Sequence, residues 1–474
     1  MTFMTKFINL LIILTCIICS ACNDYLNIPP KGSKIPTTLA DFEALLRDQY
    51  TNGRTPILNA LYLLNDVYLK NAQVNSPSLN RANYMWDESA DRIMLNNSDE
   101  DTYYALYATI SNCNLIVENA PTATEATDAE RNEVIAYAKV IRSLCYDVLT
   151  NYYADTYDAS TAEEKLSVPL ITSANIDAPY KQVSIQYLYD FMLNDIKEAI
   201  EMGLPAQSMT AIHPNLGAGY ALLARIYLQM QNYEEALRYS NLALEQNNQL
   251  YDWNSFYEEH QTAIEDPDNY DKLATPMQYD YVENYYLRYG GQSNYDSYEY
   301  NIPVERAARF EDGDARFLSR WKLKVDNNDT YYAALTSGFF NHGGLTTCEA
   351  YLIKAECQAR LTTQNDFTEA MNTLNAVRAT RIRPEMYRPA TASTLEEALS
   401  LIRNTKDNEL IFSIVPFADA RRFNSEGKYL RTMTKNYNGT EYTLSPTSHL
   451  WTMPFPAGAL NNPGNGTIEQ NVSK

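Results

Sequence analysis

GYALLARIYLQMQNYEEALRYSNLALEQ, residues Gly219–Gln246, carries the clearest period in the chain. Tyr220, Leu223, Ala224 and Tyr227 recur three and four apart, so they share one face of a helix. The short link Gln231-Asn232-Tyr233 turns the chain into a second helical run, where Ala236 and Ala243 are the small positions. Small residues there let two helices approach closely, and the whole matches the helix–turn–helix unit of a tetratricopeptide repeat. A single unit cannot bury its own apolar face, so the pattern implies further helix pairs stacked on this one.

Working outward, Thr346–Arg378 reads as a second pair, with Tyr351, Leu352 and Ala355 in one helix and Ala370, Leu374 and Val377 in the next. Its turn is longer than the standard repeat by about three residues. Towards the N-terminus, Leu39, Phe42, Leu45 and Leu46 fall at helix spacing behind the possible caps Thr38 or Asp41. Helical patterning continues near 55–70, 100–120, 127–155 and 183–203, and Glu130–Tyr153 is the most strongly periodic of these stretches. The predicted fold is mainly α, with about four tetratricopeptide-like pairs near 37–120, 127–203, 214–247 and 346–380 forming a superhelical scaffold. Residues near 250–340 are different: rich in Tyr, Asn, Asp and Gly, with weak period, they predict a largely irregular, loop-rich subdomain packed on that scaffold. Within it, Pro276–Tyr300 (PMQYDYVENYYLRYGGQSNYDSYEY) holds eight tyrosines. Long irregular stretches in folded chains are usually functional or disordered, and so many rings argue against disorder.

The N-terminal residues have one positive charge, Lys6, an apolar run Phe7–Cys19, the small residues Ser20 and Ala21, and then Cys22. This is the layout of a secretory signal peptide, 1–21, too short to span a bilayer. A cysteine directly after two small residues resembles the bacterial lipobox, which makes Cys22 the expected lipidation site and residues 22–36 a lipidated tether. Residues 37–474 are read as one domain. The formal net charge of −21 argues against nucleic acid or anionic lipid as partner. Cys113, Cys145, Cys348 and Cys357 show neither CxxC nor zinc spacing and are read as buried free thiols. The 38 tyrosines admit two readings, stacking on carbohydrate or packing between helices, and composition does not choose.

Nothing in the pattern predicts an enzyme, a metal or a cofactor. His213, His260, His342 and His449 are scattered, and no HExxH, GxSxG or Walker loop occurs. Gly217-Ala218-Gly219 has Leu222 where a dinucleotide loop needs its third glycine, so it reads as close helix packing. Abundant carboxylates without supporting spacing are read as solvated surface, not as a glycoside-cleaving pair.

The chain resembles the SusD/RagB family of surface nutrient-binding lipoproteins of Bacteroidetes. The likeness runs from CNDYLNIPP (Cys22–Pro30) through FEDGDARF (Phe310–Phe317), CEAYLIKAECQARL (Cys348–Leu361) and LNAVRATR (Leu374–Arg381) to the C-terminal LWTMPFPAGALNNPGNGTIEQN. One motif departs: Glu409, Leu410, Asp419, Arg422 and Phe423 are kept, but Ser413-Ile414-Val415-Pro416 replaces its centre and Thr405-Lys406 its leading Glu-Arg. That motif is expected to be a buried salt-bridge network between helices, and its partial replacement suggests a divergent branch. The resemblance implies an outer-membrane lipoprotein, facing the cell exterior, that captures a glycan or oligosaccharide. It further implies delivery of that ligand to a SusC-like TonB-dependent transporter. A peptide-capturing RagB-like protein and a tetratricopeptide adaptor without a small ligand remain open alternatives. Ligand candidates are Tyr84, Trp86 and Asp87 in an early loop, and Asn284, Tyr285, Tyr286, Arg288 and Tyr289 in the tyrosine cluster. The competing reading makes Trp86 a core anchor and the tyrosines internal packing.

Overall fold

The computed structural model describes residues 36–48, 55–96, 101–175, 177–290, 299–327, 329–461, 464 and 466–472. The predicted signal peptide, Cys22 and nearly all of the predicted tether lie outside the described residues. The fold is mainly helical. Its longer helices are α1 (Leu39–Leu46), α2 (Asp101–Asn119), α3 (Asp128–Tyr153), α4 (Ile185–Glu201), α5 (Leu216–Gln229), α6 (Tyr233–Gln246), α7 (Trp253–Glu265), α8 (Thr347–Leu361), α9 (Thr368–Ala379), α10 (Leu395–Glu409) and α11 (Val415–Glu426).

The strongest period belongs to the most central helix. Thr127 caps α3 and exchanges hydrogen bonds with Glu130, satisfying orphan backbone donors at its start. Beyond that exposed first turn, every residue from Val134 to Tyr153 is buried, because α2 and α4 cover α3 from two sides. The hairpin α5–α6 closes as its sequence predicts. Ala224, Ala236 and Ala243 are fully buried where the two helices approach, and Tyr227 stacks on Tyr239 at 5.5 Å. Helix α6 then packs on α8, and α8 on α9 and α10, which continues the stack. The described part of residues 37–120 does not form a simple pair: among the described residues four short helices separate α1 from α2, and α2 packs on α3 instead.

The irregular region proves to be organised by short strand pairs. In chain order the strands are β1 (Leu166–Leu170), β2 (Lys181–Ser184), β3 (Leu273–Ala274), β4 (Asn284–Tyr286), β5 (Trp321–Asp326), β6 (Asp329–Ala334), β7 (Thr336–Ser337), β8 (Leu345–Thr346), β9 (Met433–Tyr437) and β10 (Thr440–Leu444). Among the described residues they form five two-stranded ladders, β1–β2, β3–β7, β4–β8, β5–β6 and β9–β10, of which β3–β7 is parallel. Short ladders bring the 273–290 and 336–346 segments side by side without building a large sheet.

Buried ion pairs fasten this region to the helices. Arg381, fully buried, donates to Glu283 and to Glu409 at 2.7 Å each. Arg316 pairs with Asp314 at 2.5 Å and also with Glu409. A second network joins Arg422 to Glu356 (2.7 Å) and Asp419 (3.0 Å), with Lys406 on Asp419 at 2.7 Å. The motif residues expected to form a salt-bridge network therefore do so. Lys406, at a position where the sequence departs from the family pattern, joins the network as a cation. Burial alone would raise the Glu409 carboxyl, but Arg381 and Arg316 hold it down at about 2. Such pairs add little net stability over apolar packing, yet removing one partner is costly.

Candidate functional site

The two predicted ligand segments are both drawn largely into the interior. Trp86 is buried, takes a left-handed backbone conformation (φ 54°) and donates its indole N–H to the Leu63 carbonyl at 2.7 Å. Tyr84 is buried edge-on against Tyr62. The Lys435 side chain from β9 lies over both rings, 4.0 Å from Tyr84 and 4.7 Å from Trp86. Burial pushes its ammonium group down to about 7. Asp87 is held by hydrogen bonds from Ser89 and by Arg81 at 2.8 Å, which together lower its carboxyl. Trp86 is thus a core anchor, and the expectation of an exposed ring platform at this loop is corrected.

The tyrosine cluster divides. The Tyr285 ring fills the notch left by Gly217, where a Cβ would stand 2.4 Å from it, and its hydroxyl donates to the Asn247 carbonyl. Tyr286 is buried as well, and Arg288 is fully buried with its Nε on Thr55 Oγ1 at 2.7 Å. These three side chains pack the subdomain and offer no open face, which corrects their reading as ligand contacts.

Asn284 and Tyr289 lead to a different surface. Both are tied to the segment after β7 through Asn341, whose Oδ1 accepts from the backbone N–H of Arg288 (3.1 Å) and Gly344 (3.0 Å). Its Nδ2 donates to Asn284 Oδ1 at 2.7 Å and to the Tyr286 carbonyl at 3.0 Å. Gly344 is required here, since a Cβ would meet the Tyr286 carbonyl oxygen at 2.0 Å. The turn so braced presents Phe339, 37% exposed, beside Tyr279, 47% exposed, with ring centroids 6.0 Å apart. Beneath them Tyr289 meets Phe339 edge-on at 5.6 Å. Gln278, half-buried and anchored to the Thr275 carbonyl, and exposed Asp280 supply polar groups along the same segment. Two exposed rings on a rigid, polar-flanked turn suit a ligand with apolar faces and hydroxyl edges. Tyr279 lies within the tyrosine run but was not among its candidate residues, and Phe339 carried no such signal. It sits beside Phe340 between Gly338 and Asn341, and the β3–β7 pairing together with the Asn341 N–H bond to the Met277 carbonyl brings it next to Tyr279.

The buried donors Glu283, Cys348 and Glu409 lie within 4.8 Å of one another. They do not fit a metal centre, because the Arg381 guanidinium already binds both carboxylates and burial pushes the Cys348 thiol well up. All four described cysteines are buried and free.

The model of a SusD-like family, described as starch-binding and associating with the outer membrane, matches residues 24–228. A SusD superfamily protein of Bacteroides thetaiotaomicron superposes with a TM-score of 0.68 over 92% of this chain and 100% of its own, at 18% identity. The chain has the SusD-like fold. A SusD-like carbohydrate binding protein of Bacteroides vulgatus shares the fold with a TM-score of 0.62 and 19% identity, covering 92% of this chain and 100% of its own. Among curated proteins, SusD-like protein P25 of Formosa agariphila is 27% identical over 192 residues. That match spans 36% of this chain and 36% of the relative, so it reaches only about a third of the curated protein's length. At these identities the solved structures establish the SusD-like fold, and the site must be argued from this chain's own residues. Among the described residues no helix is long and apolar enough to cross a membrane.

Proposed function

We propose that this SusD-like chain captures a carbohydrate at the outer surface of the cell and hands it to a SusC-like TonB-dependent transporter. The observation that carries the reading is the exposed Tyr279–Phe339 ring pair on the turn braced by Asn341. Sugar rings present C–H faces that stack on such side chains, and hydroxyls that seek groups such as Gln278 and Asp280. The SusD-like family description, starch-binding and associating with the outer membrane, supports the same ligand class and location. Lipidation at Cys22, in its lipobox-like setting, is the proposed anchor.

Affinity electrophoresis of the chain against a panel of neutral glycans tests the ligand class. Retardation by at least one glycan, lost in Phe339→Ala, is the expected result. The transporter partnership is tested separately, by copurification of an outer-membrane barrel from mildly solubilised membranes.

A further inference from the structure

A second concave site lies on the opposite part of the chain's sequence, between α10, the end of α11 and the turn that follows it. It encloses about 310 Å³, at the lower end of the range for small-ligand pockets. Leu399 and Phe423, both buried, form its apolar base. Glu396, Ser400, Arg403 and Asn404 lie at successive helical turns of α10, so they align along the pocket on one helix face. Tyr429, half-buried and edge-on to Phe423 at 6.5 Å, contributes an aromatic wall, with Lys428 and Arg431 beside it.

Arg403 is the informative residue. Its guanidinium lies over the Phe423 ring at 4.6 Å, and its buried Nε has no hydrogen-bond partner. Neighbouring cations are satisfied: Arg431 pairs with Asp407 at 3.0 Å, Arg360 with Glu426 at 2.8 Å, and Arg422 with Glu356 at 2.7 Å. Arg403 makes no ion pair among the described residues, in a chain whose formal net charge is −21. The Nε is closed off from solvent, so an incoming oxyanion would meet the terminal nitrogens of this half-buried guanidinium, which make no hydrogen bond or ion pair among the described residues and present a planar fork.

Resting on the carbohydrate-capture reading above, we propose that the α10–Tyr429 pocket binds an acidic sugar residue, its carboxylate or sulfate held by Arg403. The sugar's C–H face lies against Tyr429, and its hydroxyls meet Glu396, Ser400 and Asn404. The pocket is separate from the Tyr279–Phe339 surface, so the chain has one site for neutral rings and one for an anionic substituent. Glu396 lines the pocket opposite Arg403, Lys428 and Arg431, and the nearby carboxylates Asp407 and Asp419 are paired with Arg431, Lys406 and Arg422, so the pocket stays locally positive and binding there weakens with added salt.

The test is isothermal titration of the full chain with three probes: an oligogalacturonate, a sulfated oligosaccharide and a neutral oligosaccharide. Arg403→Gln, Tyr429→Ala and Phe339→Ala are measured beside wild type. Loss of a charge-assisted bidentate contact predicts that Arg403→Gln weakens the acidic probe about 10- to 100-fold. Arg403→Lys should recover part of that loss, and neutral-probe binding should not change in either variant. Preference between the carboxylate and sulfate probes identifies the oxyanion. Because Arg403 borders a pocket, its variants should keep the wild-type melting temperature, which excludes misfolding as the cause. Acidic-probe binding that is equal in Arg403→Gln and wild type overturns the proposal. So does a wild type that ignores both acidic probes; if it still binds the neutral probe through Phe339, capture itself stands. Silence to all three probes overturns both readings, and binding of an acidic peptide alone through Arg403 overturns the sugar assignment.

Discussion

Arg381→Met removes the cation that joins the irregular subdomain to the helical scaffold. Arg381 is fully buried and donates to Glu283, to both oxygens of Glu409, to the Tyr251 carbonyl at 2.8 Å and to Thr380 Oγ1 at 2.7 Å. After the substitution Glu409 still has Arg316. Glu283 keeps only the Tyr251 N–H, at 2.7 Å, while its Oε2 has no hydrogen-bond partner to begin with. Leaving that carboxylate buried without a cation costs about 3–5 kcal/mol by analogy with other broken buried pairs. Burial already raises the Glu283 carboxyl against the pull of Arg381, and losing Arg381 raises it further. A carboxyl whose folded pKa lies above its unfolded value binds its proton preferentially in the folded state. The variant therefore recovers stability as pH falls towards the unfolded value of about 4.3. Urea denaturation followed by circular dichroism at pH 8 and pH 5 measures both effects. Adding Glu283→Gln to the variant should return about 0.5–3 kcal/mol, the usual size of coupling between contacting groups. A loss under about 1 kcal/mol, or one that is the same at both pH values, would refute the reasoning.

Three further outcomes follow from the described contacts. Trp86→Ala should destabilise the chain by about 3–5 kcal/mol, as for other buried aromatic truncations, while Trp86→Phe leaves glycan binding at the wild-type level in affinity electrophoresis. The Lys435 ammonium, pushed down to about 7, releases its proton well before the unfolded chain does at about 10.4. Between those values the unfolded chain binds more protons, so the wild-type melting temperature should gain a rising contribution with pH that Lys435→Met lacks. In thermal scans at pH 7 and pH 9, the difference between the two proteins should shift in favour of wild type; an unchanged difference counts against it.

How much of this was legible in the sequence depends on how local each signal was. The α5–α6 hairpin needs only its own spacing, and α3 announces itself through a capping box followed by an unbroken periodic run. Gly217 was readable as a packing position, but not its partner: Tyr285 arrives from a strand far along the chain. The same non-locality misled the ring assignments. A tyrosine that covers a glycine notch and one that faces solvent look alike in composition, as Tyr285 and Tyr279 show. Trp86 is buried because Lys435 and the Leu63 carbonyl close over it, and neither is near in sequence. The family motifs were the better guide to long-range structure, since Asp314, Arg316, Arg381, Glu409, Asp419 and Arg422 meet in buried networks. Motifs that persist for packing reasons locate the fold and say little about the ligand surface, where Phe339 stands without a motif of its own.

The central claim is that exposed rings on the Asn341-braced turn bind carbohydrate, and paired ring deletions test it most directly. Binding of a retarding glycan is measured by isothermal titration for wild type, Tyr279→Ala and Phe339→Ala, with Tyr286→Phe as a buried control. Burying one aromatic face contributes about 1.5–3 kcal/mol, so each exposed-ring variant should lose about tenfold or more in affinity. Both should keep the wild-type melting temperature, and Tyr286→Phe should bind as wild type does. Undiminished affinity in Tyr279→Ala and Phe339→Ala would contradict the account.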